Sequence, residues 1–284
     1  MRILAFLAVC LLSAAVPARA GGISDPSQPV KIEGYSGEAM EPFISRDGRY
    51  LFFNTRNDPG ANTNIHFAEK NGGDFIYRGL LAGTISYDLD AVPTMSADGH
   101  FCFVSPRDYR RTLISVLCGT FDGTRVNDAE PQRLLQSESL GHLIFDVELA
   151  ANGQTMIFAE GTFSGDAVPD AADLHLATLT PNGFKRSPDS AKILASVNSD
   201  DLEYAPALSA DGLDLYFTRV TGFWLFRAPK LFHAHRASVN DPFGKPHRLD
   251  AIEGFVEGAS VAPDGTLYFH KRVSDHFDIW HLPK

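Results

Sequence analysis

The chain has 284 residues, of which 44% are hydrophobic and 21% charged, and its formal net charge is −10. This length and composition are ordinary for a globular protein with a sizeable core. The negative charge argues against nucleic acid and anionic membrane surfaces as partners, because both require a basic face on the protein.

The first twenty residues have the features of an export signal. A basic residue precedes an apolar run, and Ala18-Arg19-Ala20 has the small-x-small spacing of a signal peptidase site. We therefore expect residues 1–20 to be removed, which takes two arginines and no acids and brings the formal charge to −12. Residues 21–284 are then predicted to form a single domain that is periplasmic or secreted.

One other interpretation of the N-terminus is less favoured. Cys10 raises the alternative of a lipoprotein, but Val9 is a poor residue before a lipoprotein cleavage point. No other stretch of the chain has the apolar length that a bilayer span needs. We therefore expect no membrane span in the mature protein.

A turn dipeptide recurs five times along the rest of the chain, at intervals of 51 to 59 residues. The copies are Asp47-Gly48, Asp98-Gly99, Asn152-Gly153, Asp211-Gly212 and Asp264-Gly265. Each copy follows a short apolar run, such as "PFIS" or "APALS", and precedes another, such as "YLFF" or "LDLYF". Asp-Gly or Asn-Gly between two such runs predicts a β-hairpin, because these residues accept the positive φ angles of a tight turn.

Two more strand-like runs follow each hairpin. The third strands are predicted at "NIHFAEK", "LISVLCGTF", "ADLHLATL", "LFHAHRAS" and "FDIWHL", and fourth strands at "QRLLQ", "AKILA" and "PHRLD". Four strands in each unit of about fifty residues are typical of a β-propeller blade. The sequence therefore predicts an all-β, five-bladed propeller with four-stranded antiparallel blades.

The last repeat ends at Lys284, directly after its third strand. The segment "PVKIEG" near the mature N-terminus aligns with "PHRLDAIEG" and lies just before the first hairpin. We predict that this strand closes the ring by completing the fifth blade, which covers an otherwise bare sheet edge.

The repeats "ALSADGLDLYFTR" and "SVAPDGTLYFHKR" resemble the WD-repeat-like propeller repeats typified by TolB and by the propeller domains of some exported peptidases. The resemblance covers nearly all of the mature chain and implies a propeller in the periplasm or outside the cell. It does not imply one function, because such repeats serve as docking platforms, ligand binders and enzyme domains. The N-terminal domain of TolB and the Gly-x-Ser-x-Gly motif of the peptidases are both missing here.

Acidic residues cluster at the face of the disc opposite the Asp-Gly turns, around the predicted channel mouth. They are Glu38, Glu41, Asp88, Asp90, Asp146, Glu148, Glu203 and Glu257. The second strand ends in Arg56, Arg107, Arg219 or Arg272 in four of the five blades. Antiparallel pairing places these arginines near the acids, which predicts ion pairs that fix the geometry of the rim.

Blade 3 departs from this pattern because Glu160 occupies the neighbourhood where the other blades have Arg. Asp146 and Glu160 are then expected to face each other without a cation. Like charges in proximity raise a pKa or recruit a metal or basic ligand, so this pair is a candidate site that could hold calcium. The alternatives are that both side chains point to water, or that a neighbouring blade contributes Arg107 or His142 to balance their charge.

The loops after the second strands reach the same face, and "GFWLF" is the most apolar of them. Phe223 and Trp224 in this loop could stack on a sugar ring or anchor a partner, or the loop could fold over its own blade. His233-x-His235 on a predicted strand is interpreted as a packed or solvated pair, because no histidine pair has the spacing of a zinc-binding helix.

Cys102 and Cys118 remain after removal of the signal. An exported protein can form a disulfide, but the short predicted loop before "LISVLC" places Val116 or Ser115 opposite Cys102 sooner than Cys118. The spacing therefore favours unpaired thiols.

Two functions from different classes are consistent with these residues. The favoured one is a noncatalytic, monomeric binding protein that takes a protein, glycan or small ligand at the acidic mouth, with Glu41, Asp90, Asp146, Glu148, Glu160, Glu203, Glu257 and Trp224 as candidate binding residues. The alternative is a glycoside hydrolase, in which Asp146 or Glu160 is the acid and Glu41 or Asp90 the base or nucleophile. No Gly-rich phosphate loop supports a nucleotide cofactor.

Overall fold

The computed structural model describes residues 25–57, 62–165, 168–222 and 227–284. The predicted signal peptide, Phe223 and Trp224 lie outside the described residues. The described chain forms five antiparallel four-stranded units, one of them extended by a short parallel strand, in the sequential order of a β-propeller. The predicted five-bladed fold is therefore confirmed. Within the described part, no helix has the length and apolar character needed to cross a membrane.

The strands of the first three blades follow the chain outward from the centre. Blade 1 contains β3 (Met40–Ile44), β4 (Tyr50–Asn54), β5 (Ile65–Asn71) and β6 (Asp74–Leu80). Blade 2 contains β7 (Ala91–Met95), β8 (His100–Val104), β9 (Val116–Phe121) and β10 (Val126–Pro131). Blade 3 contains β11 (His142–Leu149), β12 (Thr155–Thr162), β13 (Ala171–Thr180) and β14 (Gly183–Arg186).

Blades 4 and 5 complete the ring. Blade 4 contains β15 (Leu202–Leu208), β16 (Asp214–Thr221), β17 (Ala228–His235) and β18 (His247–Arg248). Blade 5 contains β19 (Phe255–Val261), β20 (Leu267–Val273) and β21 (His276–Leu282) and takes its fourth strand, β1 (Gln28–Pro29), from the other end of the chain.

The five predicted turns are present, since the Gly of every turn dipeptide has a positive φ angle, between 69° and 87°. The predicted closure of the ring is also confirmed. Gln28 lies opposite His281 and Pro29 opposite Trp280, so β1 completes blade 5. The next strand, β2 (Ile32–Glu33), pairs in parallel with β6 of blade 1, so one short segment joins the last blade to the first.

Two of the predicted fourth strands are wrong. "QRLLQ" forms a 3-10 turn at Arg133–Leu135, and "AKILA" contains the single-turn helix α2 (Ser190–Ile193). The observed edge strands, β10 and β14, lie several residues earlier and alternate buried with more exposed residues. Leu135 and Ile193 are buried in the core cluster that blades 2, 3 and 4 share, which explains why these runs are apolar without being strands.

The cores between blades are rich in phenylalanine. Between blades 1 and 2, the buried rings of Phe52, Phe67, Phe101 and Phe121 pack against one another with centroids 5.1 to 6.3 Å apart. Aromatic contacts of this kind stabilise beyond the area they bury. The packing of neighbouring sheets holds the innermost strands at fixed positions around the channel.

Cys102 and Cys118 form a disulfide between β8 and β9, so the expectation of unpaired thiols is wrong. The two residues are directly opposite in the register. The connection contains the single-turn helix α1 (Tyr109–Thr112) followed by Leu113 in the left-handed conformation. The helical turn takes up more residues than a simple loop between the two strands would. As a result, Val116 at the start of β9 lies opposite Val104, and Cys118 lies opposite Cys102.

Candidate functional site

The inner wall of the channel is built from a β-bulge that all five blades share. The register shifts once in every innermost strand pair. The residue six positions before each turn dipeptide is Glu41, Val92, Asp146, Ala205 or Gly258, and all five line one central cavity. That cavity has a volume of about 20 Å³, which is room for about one water-sized group.

The bulges connect each blade to the one before it. A bulge removes a backbone N–H from its ladder, and a buried N–H needs another acceptor. In four places a side chain of the preceding blade accepts it: Val92 N–H donates to Asn54 (3.1 Å), Ala205 N–H to Asp146 (3.0 Å), Gly258 N–H to Thr218 (3.3 Å) and Glu41 N–H to His270 (3.0 Å). Asp146 and His270 therefore hold the ring together in addition to any role toward a ligand.

Gly258 is required at its bulge for two reasons. Its φ angle is 62°, and a Cβ atom there would lie 2.8 Å from Nδ1 of His270. Glycine tolerates this conformation and leaves room for the imidazole.

Glu257 interacts with two neighbouring side chains in the channel. The hydroxyl of Tyr204 donates to its Oε1, and Nε2 of His270 lies 3.1 Å from its Oε2. Because Nδ1 of His270 accepts the amide hydrogen of Glu41, the ring proton must be on Nε2. His270 is therefore a neutral imidazole that donates to Glu257, and two donors stabilise the negative charge of this carboxylate.

Glu41 is less well supported. Its Oε1 accepts a hydrogen bond from Asn57 at 3.0 Å, but its Oε2 is buried and has no hydrogen-bond partner in the described part of the chain. Burial raises the pKa of Glu41, as does the charge of Glu257, while the side-chain amides of Asn57 and Asn54 lower it. An unpaired buried carboxyl oxygen is costly and calls for a water molecule or a ligand.

Asp146 is almost completely buried, with 1% of its surface exposed. Burial raises its pKa well above the ordinary value, and the charges of Glu41 and Glu257 act in the same direction, whereas the Ala205 N–H lowers it. The channel thus combines a carboxylate held by two donors with a carboxyl group whose neutral form is favoured. Such a combination can both donate and accept hydrogen bonds.

Glu148 lines the central cavity together with Glu41 and Asp146, but it is held in a buried ion pair. Its Oε1 lies 2.7 Å from Nη2 of Arg46. Thr94 and the amide of Leu208 also donate to Glu148, at 2.8 and 3.0 Å. Arg46 donates in addition to the carbonyls of Leu149 and Leu208, so this ion pair links blades 1, 3 and 4.

The predicted rim ion pairs are present in three blades. They are Glu38–Arg56, Asp90–Arg107 and Glu203–Arg219, each with a distance of 2.6 Å. Blade 5 differs, because the guanidinium of Arg272 lies over the ring of Phe255. Three of the predicted binding acids therefore have an arginine partner: Asp90 and Glu203 at the rim, and Glu148 inside the channel.

Asp90 and Glu203 share a second feature that the sequence analysis missed. Ser86 donates its backbone N–H and hydroxyl to Asp90, and Ser199 does the same to Glu203. The stretches "SYDLD" and "SDDLE" carry this pattern in blades 2 and 4.

The predicted pairing of Asp146 with Glu160 is wrong. The bulge places Ala159 opposite Asp146 and Ile144 opposite Glu160. Glu160 instead forms a two-pronged ion pair with Arg186, at 2.7 and 2.8 Å. Arg186 lies on β14, the edge strand that the sequence analysis misplaced, so this cation was not visible in the sequence.

Tyr204, His270 and Asn57 were also missed. A usable signal was the polar residue near the end of the second strand, Asn54, Thr218 or His270, within runs that are otherwise apolar. Among the described residues, one group of three His, Cys, Asp or Glu ligands lies close enough to hold a metal ion: His100 with the two disulfide-bonded cysteines.

A larger cavity of about 400 Å³ lies between blades 3 and 4 and is lined in part by the turn residues Asn152, Asp211 and Gly212. It is therefore on the Asp-Gly face, away from the mouth, and none of the predicted site residues lines it.

No sequence-family profile matches the chain, and no curated protein matches it in sequence. Solved structures do resemble it. One described as a glycoside hydrolase matches with a TM-score of 0.62 and 10% identity over 91% of this chain and 90% of that one. The catalytic domain of Coprinopsis cinerea GH62 alpha-L-arabinofuranosidase matches with a TM-score of 0.56 and 10% identity over 90% and 95%. TolB from Acinetobacter baumannii matches with a TM-score of 0.48 and 16% identity over 84% and 51%. At these identities the similarity extends to the fold alone.

Proposed function

We propose that this protein is an exported, noncatalytic propeller that binds a carbohydrate end group at its channel mouth. The observation that carries the proposal is the buried Oε2 of Glu41, which has no hydrogen-bond partner in the described structure. Glu41 is one of the residues that line a cavity with room for one small group. A sugar hydroxyl or hydroxymethyl group has the size to enter this cavity and donate to that oxygen.

The balance of charge around the mouth supports a neutral ligand. Arginines neutralise Glu38, Asp90 and Glu203 on the rim, so a polycationic ligand would meet mostly paired acids. A hydroxyl group both donates and accepts. It can therefore donate to Glu41 and accept from the protonated carboxyl group that burial favours at Asp146.

An aromatic side chain is available beside the mouth. Tyr87 is 99% exposed and lies in the connection that leads into β7. The hydrogen bonds from Ser86 to Asp90 hold the turn that carries it. An exposed aromatic ring on a fixed turn is suited to stacking on the apolar face of a sugar.

Export is part of the same proposal. The Cys102–Cys118 disulfide supports an oxidising compartment such as the periplasm or the extracellular medium, because disulfides are rare in the cytoplasm. The N-terminal segment supports the same location. We propose that the mature protein acts as a monomer.

Glycoside hydrolysis is the second candidate, favoured by the contrasting environments of two carboxyl groups. Asp146 has a strongly raised pKa, whereas Glu257 receives two hydrogen-bond donors. In glycosidases, different environments of this kind keep one carboxyl group protonated as the general acid and the other ionised as the nucleophile or charge stabiliser. Asp146 would be the acid in this case, and Glu160 is no longer a candidate because Arg186 holds it.

The test is calorimetric titration of the mature protein with a panel of neutral mono- and oligosaccharides found by glycan array. We expect binding by the wild type and at least a tenfold loss of affinity for Glu41→Gln. Glu69→Gln is the matched control, because Glu69 lies on the exposed outer part of the same blade. Absence of any sugar binding by the wild type, or equal binding by Glu41→Gln, contradicts the proposal.

Two further measurements test the alternatives to sugar binding, which are a metal ion in the channel and glycoside hydrolysis. Titration with Ca²⁺ and Mn²⁺ tests the cation expected from the sequence. If the wild type binds either ion and Glu41→Gln does not, the ligand of this site is a metal ion and not a sugar. Incubation with aryl glycosides and plant polysaccharides tests catalysis. Product release that Asp146→Asn and Glu257→Gln both remove would establish the second candidate instead.

A further inference from the structure

A cluster of three histidines and one aspartate lies on the outer half of blade 4, away from the channel. Tyr216, His233 and His247 are directly opposite one another on β16, β17 and β18, and Asp214 lies opposite His235 on the first two strands. Residues opposite each other or two apart on adjacent strands share one face of the sheet, so these side chains meet.

Asp214 determines which nitrogen of each ring carries a proton. Its Oδ1 lies 2.7 Å from Nε2 of His233 and 2.9 Å from Nδ1 of His235. A carboxylate can only accept, so these two nitrogens are the protonated ones. The free lone pair of His233 is consequently on Nδ1.

That lone pair faces a second imidazole. Nδ1 of His233 lies 3.3 Å from Nε2 of His247, and the two ring planes are 85° apart. Two nitrogens bound to one tetrahedral zinc ion at about 2.05 Å are about 3.3 Å apart. The observed separation therefore fits an edge of a zinc coordination tetrahedron as well as it fits a shared proton.

We propose that His233 and His247 bind a first-row transition metal ion, with Zn²⁺ as the expected occupant and Cu²⁺ as a tighter competitor. The ion replaces the proton between the rings, and His247 then carries its own proton on Nδ1. Imidazole suits Zn²⁺ and Cu²⁺ and does not suit Ca²⁺ or Mg²⁺, which take oxygen ligands. Two protein ligands leave the remaining positions open, so the site is exchangeable and accessible to water or to a partner's side chain.

Asp214 is the positioning residue of this site. An acceptor on the far nitrogen of a ligating histidine fixes the tautomer and increases the basicity of the ring, and its loss typically weakens metal binding by about 10- to 100-fold. His233 is well placed for this arrangement because only 18% of its side chain is exposed, and the ring of Tyr216 packs on it with a centroid distance of 4.7 Å. His247 is exposed, so the ion can enter from solvent.

The test is calorimetric titration of the mature protein at pH 7.5 with ZnCl₂, CuCl₂ and CaCl₂. We expect one Zn²⁺ or Cu²⁺ per chain at this site, no Ca²⁺ at it, and at least a tenfold loss of affinity in His233→Ala and in His247→Ala. His235→Ala is the matched control. This change removes an exposed histidine that lies on the same strand and contacts the same aspartate. We expect its Zn²⁺ affinity to stay within about threefold of the wild type.

Asp214→Asn separates positioning from folding. We expect weaker zinc binding, together with a shift of the His233 proton away from Nε2 in ¹⁵N spectra of the metal-free protein, which a merely structural role would not produce. Lack of Zn²⁺ and Cu²⁺ binding by the wild type overturns the proposal. So does retention of full affinity in both His233→Ala and His247→Ala, or loss confined to His235→Ala. The channel variant Glu41→Gln should leave this binding unchanged, so the result is independent of the carbohydrate proposal.

Discussion

The ion pair between Arg46 and Glu148 offers the sharpest test of how the ring is held together. Only 4% of the Arg46 side chain and 5% of the Glu148 side chain are exposed. Arg46 comes from blade 1 and contacts residues of blades 3 and 4 across the channel. The change Arg46→Ala removes the cation and leaves the carboxylate of Glu148 buried with two neutral donors.

The expected cost follows from that buried charge. Removing one partner of a buried ion pair typically destabilises a protein by about 3–5 kcal/mol, because the remaining charge is uncompensated. For a domain of this size, 1 kcal/mol corresponds to about 2–4 °C in the midpoint of thermal unfolding. Arg46→Ala should therefore lower the midpoint by about 6–20 °C.

The double variant Arg46→Met/Glu148→Gln, compared with the single variants Arg46→Met and Glu148→Gln, distinguishes this mechanism from a general loss of packing. It removes both charges, so its free energy of unfolding should exceed the value expected from adding the single changes by about 0.5–3 kcal/mol. The measurement is guanidinium unfolding followed by circular dichroism and fluorescence. Arg49→Ala is the control, since Arg49 forms an exposed ion pair with Glu69 on the same blade, and we expect no measurable change. Additive single changes, or an Arg46→Ala variant as stable as the control, would refute the reasoning.

Three further predictions concern closure, the disulfide and the channel. Deletion of residues 25–35 should lower the thermal midpoint of the whole domain, because it removes the fourth strand of blade 5 and the strand that joins it to blade 1; an unchanged midpoint in a thermal melt would exclude this closure. Reduction of the Cys102–Cys118 disulfide, which spans 16 residues, should cost about 3 kcal/mol in urea unfolding; titration of two free thiols in the unreduced, denatured protein would show that no bond exists. Asp146→Asn should make the protein more stable than the wild type by a margin that grows as pH rises above about 4, because burial raises the folded-state pKa of Asp146 above its unfolded value of about 3.9. The wild type thus loses about 1.4 kcal/mol of stability for each pH unit between the unfolded-state pKa and the folded-state pKa of this carboxyl group. Unfolding curves from pH 4 to 8 with a constant difference between the two proteins would contradict this assignment.

The sequence by itself determined the architecture, because the signals that specify a propeller are local. Each Asp-Gly or Asn-Gly turn imposes a hairpin on the residues beside it, and five such turns at a regular interval require five blades. The missing fourth strand of the last repeat and the spare strand near the N-terminus predicted the closure for the same reason. The rim pairs Asp90–Arg107 and Glu203–Arg219 were predictable because both partners belong to one hairpin.

The edge strands and the disulfide depended on tertiary contacts. "QRLLQ" and "AKILA" are apolar because Leu135, Ile193 and Leu194 pack in the core that blades 2, 3 and 4 share, and a short apolar run of this kind resembles a strand in the sequence. The single turn of helix before β9 changed the register that brings Cys118 to Cys102. Neither effect has a local sequence signal, because each depends on what the segment packs against.

Only the tertiary structure decided the chemistry of the channel. Its contacts join residues far apart in the chain: Glu41 meets His270 across 229 positions, and Arg46 meets Glu148 across 102. The ring geometry paired Glu148 with Arg46 and Glu160 with Arg186, and it assembled Glu41, Asp146 and Glu257 with Tyr204 and His270. The physical reason is that hydrogen bonding and burial set the protonation of a carboxyl group, and both arise from neighbouring blades that a single repeat does not specify.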